Sequence, residues 1–153
     1  MKWVLLAGLV SCSGTQAASP TQAASAVEAG QSVAIFAGGC FWCMEGAFEA
    51  ISGVVSVESG YTGGPELGPS YRAVSMGQTG HFEAIRVVYE PQRVAYSTLL
   101  GVFWKNIDPT QADGQFCDRG DQYRSAVFVA GPTEHQAATA SKEESSKILG
   151  TLP

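Results

Sequence analysis

A strand that turns straight into a helix is written into residues 33–52. Val33-Ala34-Ile35-Phe36 is a short apolar run of strand type, and Ala37-Gly38-Gly39 is a tight turn. Phe41, Met44, Phe48 and Ile51 then recur at helical spacing, and Gly53 stands where such a helix stops. The junction carries Cys40 and Cys43, three positions apart, with Phe41 and Trp42 between them. Cys40 thus falls at or near a helix N-terminus. Unpaired amides there present partial positive charge, which favours thiolate over thiol and predicts a lowered pKa.

The remaining chain supplies a layered domain around that junction. A strand is expected over 54–61, with Val55, Val57 and Ser59 alternating against Val54, Ser56 and Glu58. Thr62-Gly63-Gly64-Pro65 and Gly68-Pro69 bracket an irregular segment, and 71–76 reads as a turn of helix broken by Gly77-Gln78-Thr79-Gly80. Residues 81–89 form the clearest strand, closed by Glu90-Pro91. A helix follows over 96–106, with Leu99, Leu100, Phe103 and Trp104 on its buried stripe. Residues 108–121 read as a polar loop and 125–130 as a fourth strand. A polar helix over 133–149 opens on Pro132-Thr133-Glu134. The order β-α-β-β-α-β-α predicts an α+β domain over 33–153: a two-layer, ferredoxin-like sandwich, mostly antiparallel sheet with helices packed on it.

The N-terminal residues read as a targeting segment. Residues 3–10 are an apolar run too short to span a bilayer and fitted to a signal-peptide core. Leu9-Val10-Ser11-Cys12 resembles a bacterial lipoprotein signal over 1–12, with Cys12 as the lipid anchor. An ordinary secretory leader cut near Ala17-Ala18 is the alternative. Residues 13–32, rich in Ser, Ala, Gln and Thr, are expected to form a flexible linker. The expected location is the bacterial cell envelope or periplasm, with membrane contact only through the lipid. Thiols there tend to oxidise, so a reducing system outside the cytoplasm is implied. A formal net charge of −5 without a Lys/Arg stripe argues against a nucleic-acid partner.

Chemistry around a cysteine nucleophile needs an acid or base and a shaped pocket. Glu83 shares a strand face with Ile85, Val87 and Tyr89, where a carboxyl group would hold its proton near neutral pH and serve as a general acid. On the other face it would be an ordinary surface charge. Tyr71 and Tyr123 lie beside loops, where their hydroxyls could donate to a polar oxygen or simply pack. Asp118 opens Asp118-Arg119-Gly120-Asp121, a turn sequence, and Cys117 precedes it. His81 and His135 have no sequence neighbour of catalytic type and are expected to be structural or surface residues.

Five segments in order resemble the methionine sulfoxide reductase A family: Gly39-Cys40-Phe41-Trp42-Cys43, Gly60-Tyr61-Thr62-Gly63-Gly64, Tyr71-Arg72, Gly80-His81-Phe82-Glu83-Ala84, and the run from Asp118 to Ser125. The resemblance implies reduction of methionine S-sulfoxide, free or in oxidised proteins, for protein repair and oxidative-stress defence. Cys40 would attack the sulfoxide sulfur, and Phe41 with Trp42 would cage the S-methyl group. Glu83 would protonate the oxygen, Tyr71 and Tyr123 would hydrogen-bond to it, and Asp118 would join the polar network. The family uses no cofactor and no metal; thioredoxin or another external dithiol recycles it. A monomer is expected. Many relatives have Gly in place of Cys43 and resolving cysteines in a C-terminal tail. No cysteine follows Cys117 here, so Cys43 is the expected resolver and Cys117 the alternative. Relatives usually continue past Leu149, whereas this sequence stops at Pro153, so the domain is expected to be C-terminally short. Two rival readings remain: a thioredoxin-like disulfide oxidoreductase using the C-x-x-C pair, and a zinc module on Cys40, Cys43, Cys117 and a His.

Overall fold

The computed structural model describes residues 26–149. The expected leader, Cys12 and most of the expected linker lie outside the described residues. In chain order the elements are β1 (Ser32–Gly38), α1 (Phe41–Glu49), β2 (Val54–Thr62), α2 (Tyr71–Ser75), β3 (Phe82–Tyr89) and α3 (Tyr96–Lys105). Then come β4 (Gly114–Gln115), β5 (Asp118–Arg119), a 3-10 turn at Asp121–Tyr123, β6 (Ser125–Phe128) and α4 (Pro132–Leu149). The main sheet has the order β2-β3-β1-β6 with every neighbouring pair antiparallel. This is the split β-α-β arrangement of the expected two-layer α+β sandwich.

Strand alternation decides which residues meet the helices. Ala34 pairs with Val87, and Phe36 with Ile85 and Val127, so these side chains share one face. The Phe36 ring lies 5.1 Å from that of Phe48 on α1 and 5.5 Å from that of Phe103 on α3. Phe36, Phe48, Phe103, Ile85 and Leu99 are fully buried. Each such side chain stabilises the fold by about 1.5–3 kcal/mol relative to exposure. Helix α4 packs on α3, where the Trp104 indole N–H donates to the Ser141 hydroxyl at 2.7 Å.

Three local departures from the sequence expectation have physical causes. Helix α1 ends at Glu49 because the chain tightens: the Ile51 N–H donates to Phe48 O and the Val54 N–H to Ile51 O, both three-residue turns. Gly53, at φ +98°, completes the reversal. The expected alternation in β2 fails at its start. A register shift between Val54 and Ser56 lets Val54 pair with Tyr89 while Val55 bulges outward, 51% exposed. The 108–121 loop contains the β4–β5 hairpin, whose two-residue strands carry no readable period.

Candidate active site

Cys40 is the N-cap residue of α1, reached through Gly39 at φ +89°. A Cβ at Gly39 would lie 2.7 Å from the Gln115 Cβ, so the β4–β5 hairpin seats directly on this turn. Gln115 is buried and holds the hairpin through residue 108. Its Oε1 accepts from the Asp108 N–H at 2.7 Å, and its Nε2 donates to Asp108 O at 2.9 Å. The turn and the hairpin therefore position each other.

Glu83 is buried on β3, only 2% exposed, which selects the acid-bearing face over the solvent face. The Phe41 N–H, one of the free amides of the first turn of α1, donates to its Oε2 at 3.2 Å. Burial raises the Glu83 pKa above the usual carboxylate range; the Phe41 amide opposes this, and the Asp118 charge adds to it. The lowered pKa expected for Cys40 is not found. Burial raises it, outweighing the amides of Trp42 and Cys43, and the nearby charges of Cys43 and Glu83 raise it further. A helix start beside a buried carboxyl group is a poorer stabiliser of thiolate than an open helix start.

Around this pair the rings form a floor and a wall. Phe41 is buried, its ring 5.5 Å from that of Trp42 and 5.8 Å from that of Tyr61. Trp42 is 65% exposed and stacks on Tyr71 at 6.4 Å. Tyr71 opens α2, where the Ser70 hydroxyl accepts from the Ala73 N–H at 3.2 Å. Tyr123 lies in the 3-10 turn; burial raises its pKa, and the Glu83 carboxyl adds to the shift. The buried Gln122 ties these two elements together, its Nε2 donating to Ser75 O at 2.9 Å.

His81 is buried and structural. Its Nδ1 accepts from the Gly64 N–H at 3.3 Å and its Nε2 meets Glu66 O at 2.8 Å, fastening the loop that leads to Tyr71. His135 is exposed. Cys43 and Cys117 are both exposed free thiols, Cys43 one turn along α1 and Cys117 at the hairpin tip beside Phe116. Among the described residues no three His, Cys, Asp or Glu side chains gather as a metal site. The structure thus brings Cys40, Glu83, Tyr71, Tyr123 and Asp118 together beside Phe41 and Trp42. It adds Tyr61, Gln115 and Gln122, which sequence reasoning left without a role. Tyr61 could have been found only by knowing that β2 pairs with β3 so that it faces Glu83.

Residues 32–149 match the family model for peptide methionine sulfoxide reductase. The chain is 51% identical over 118 residues to peptide methionine sulfoxide reductase MsrA 2 of Caulobacter vibrioides, covering 77% of this chain and 60% of that protein. It is 50% identical over 110 residues to the MsrA of Streptococcus uberis, covering 72% and 65% of the two chains. Methionine sulfoxide reductase A of Corynebacterium diphtheriae superposes with a TM-score of 0.72 at 32% identity, over 82% of this chain and 63% of that one. Reduced Mxr1 from Saccharomyces cerevisiae superposes with a TM-score of 0.77 at 27% identity, over 84% and 76%. The chain spans less than two thirds of the length of the two curated relatives.

Proposed function

The chain belongs to the peptide methionine sulfoxide reductase family, and on that premise we propose that it reduces methionine S-sulfoxide, free or in oxidised proteins. The observation that carries this reading is Glu83: a buried carboxyl group with a raised pKa, tethered to the helix that begins at the Cys40 thiol. A general acid must hold its proton until the leaving or departing oxygen gains basicity, and burial gives Glu83 that property.

Cys40 sulfur attacks the sulfoxide sulfur while Glu83 gives its proton to the oxygen. The oxygen passes to Cys40 as a sulfenic acid, methionine leaves as the thioether, and the thiol proton returns to Glu83. The sulfoxide is reduced by two electrons and Cys40 is oxidised by two. Tyr71 and Tyr123 donate to the oxygen as it turns basic. Phe41 and Trp42 hold the S-methyl group. Asp118 keeps Glu83 protonated by repelling its anion. A protonated resting thiol at Cys40 also suits a site that meets oxidants between turnovers, because thiolate character sets oxidation rate.

The Cys43 thiol then condenses with the sulfenic acid, releasing water and forming a disulfide that a thioredoxin-like dithiol reduces. Cys43 lies one turn along the helix that Cys40 caps, its N–H donating to Cys40 O at 3.0 Å, and this nearness supports it over Cys117 at the hairpin tip. A cell-envelope location with acylation at Cys12 belongs to the same proposal, and globomycin-sensitive processing is its readout.

The test is reduction of each methionine sulfoxide epimer driven by dithiothreitol. Wild type should consume the S epimer and Cys40→Ser should consume neither; equal rates for the two proteins would refute the reading. Peptide mapping after one equivalent of sulfoxide should find a Cys40–Cys43 bridge, and a Cys40–Cys117 bridge would transfer the resolving role to the hairpin.

A further inference from the structure

One hydroxyl beside the acid has no partner in the resting structure. The Tyr61 oxygen is buried and has no hydrogen-bond partner among the described residues. Proteins seldom bury a phenol O–H unpaired, because the lost hydration is not recovered. Tyr61 stands directly opposite Glu83 in the β2–β3 register. Opposed residues share a face with Cβ atoms about 4.5–5.5 Å apart. The Tyr61 ring also packs against Phe41, whose amide is the donor to Glu83. A phenylalanine would fill the same space, so packing does not account for the oxygen.

We propose that Tyr61 is a positioning residue for the acid: its O–H turns onto the Glu83 carboxylate after that group has given its proton to the sulfoxide oxygen, joining the Phe41 amide as a second donor. The role rests on the sulfoxide-reductase reading and specifies how its acid is stabilised after proton transfer. Glu83 is faced by Cys40 from the start of α1, by Asp118 from β5, by Tyr61 from β2 and by Tyr123 from the 3-10 turn. Asp118 offers only negative charge to the new anion, the Cys40 thiol proton reaches it only as the sulfenic acid forms, and Tyr123 is engaged with the substrate oxygen. Tyr61 is the donor left over. Burial, with the charges of Glu83, Tyr71 and Tyr123, pushes its pKa up to about 12, so it keeps its proton throughout the working pH range.

The experiment is Tyr61→Phe, measured beside wild type with dithiothreitol and methionine S-sulfoxide. Loss of a hydrogen bond to a charged group predicts a kcat lower by about ten- to a hundredfold with KM little changed. Removing a donor to the ionised form raises the acid's pKa. The alkaline limb of kcat/KM should therefore move up by about one pH unit. The Glu83 carboxyl, titrated directly by infrared difference spectroscopy with Glu83→Gln as blank, should shift upward in step. Melting temperature should hold or rise, because an unpaired buried hydroxyl has been removed. An active wild type with Tyr61→Phe matching its kcat and Glu83 titration would overturn the role. So would a slower variant whose limb and carboxyl titration stay in place. A wild type that leaves the sulfoxide untouched would instead remove the reductase reading, and this role with it.

Discussion

Glu83 carries an energetic cost in the folded chain. A buried carboxyl group with one amide donor is less stable as an anion than the same group in the unfolded chain. The folded chain therefore binds its proton to higher pH than the unfolded chain does. Between the two pKa values the folded state holds more protons, so stability falls as pH rises from the ordinary carboxylate range through the folded pKa, and is level above it. Glu83→Gln removes that titration while keeping a similar shape. The melting-temperature advantage of the variant should grow with pH across this window, while sulfoxide reduction falls by about 10²–10⁴-fold. A melting-temperature gap that stays constant from about pH 4 to 8 would show that Glu83 titrates alike in both states. Burial likewise explains why Cys40 lacks the lowered pKa that its helix start predicts. A helix start is visible in the spacing of Phe41, Met44 and Phe48, but the desolvation that outweighs its amides depends on side chains far along the chain.

At the scale of elements, the site is a contact between a turn and a hairpin. Gly39 has φ +89° and no room for a Cβ against Gln115. Gly39→Ala should cost about 1–3 kcal/mol through backbone strain and the displaced hairpin. It should also lower kcat, because Asp118 and the Tyr123 turn follow the hairpin. Gly46, inside α1, is the control: a Cβ there meets nothing within 4 Å. Gly46→Ala should stabilise by about 0.5–1 kcal/mol with activity retained. Thermal melts with parallel kinetics separate the two, and a Gly39→Ala protein as stable and active as wild type would contradict the seating of the hairpin. This contrast marks what the sequence could tell. β1, α1, β3 and α3 are legible because each repeats an apolar period long enough to count. The hairpin is not, because Gly114–Gln115 and Asp118–Arg119 are two residues each, and the pair of hydrogen bonds between Gln115 and the Asp108 backbone exists only after folding. The bulge at Val55 and the Tyr61–Glu83 pairing are likewise matters of register, which a single strand's sequence does not contain.

Across the whole molecule, the reacting groups are distributed by rigidity. β1 and β3 are the two interior strands of the sheet, paired on both edges and packed against α1 and α3. Glu83 rides on β3, and Cys40 follows β1 directly. Tyr71 and Tyr123 ride on α2 and the 3-10 turn, short elements joined through Gln122. Helix α4 is polar and rests on α3 through Ala137, Ala138 and the Trp104–Ser141 hydrogen bond. Local stability should follow that order, since opening costs scale with buried apolar contact and shielded backbone bonding. Native-state hydrogen exchange should find β1 and β3 amides exchanging only through global unfolding. The amides of α4 and α2 should exchange through smaller openings with lower free energies. Ser141→Ala should widen the gap by speeding α4 alone, with the β3 amides and sulfoxide turnover unchanged. If α4 amides proved as protected as those of β3, α4 would belong to the cooperative core. The nucleophile and acid would then no longer be set apart in rigidity from the elements around them. With the gap present, the sheet holds Cys40 and Glu83 in fixed relation, and Tyr71 and Tyr123 keep the freedom to adjust around them.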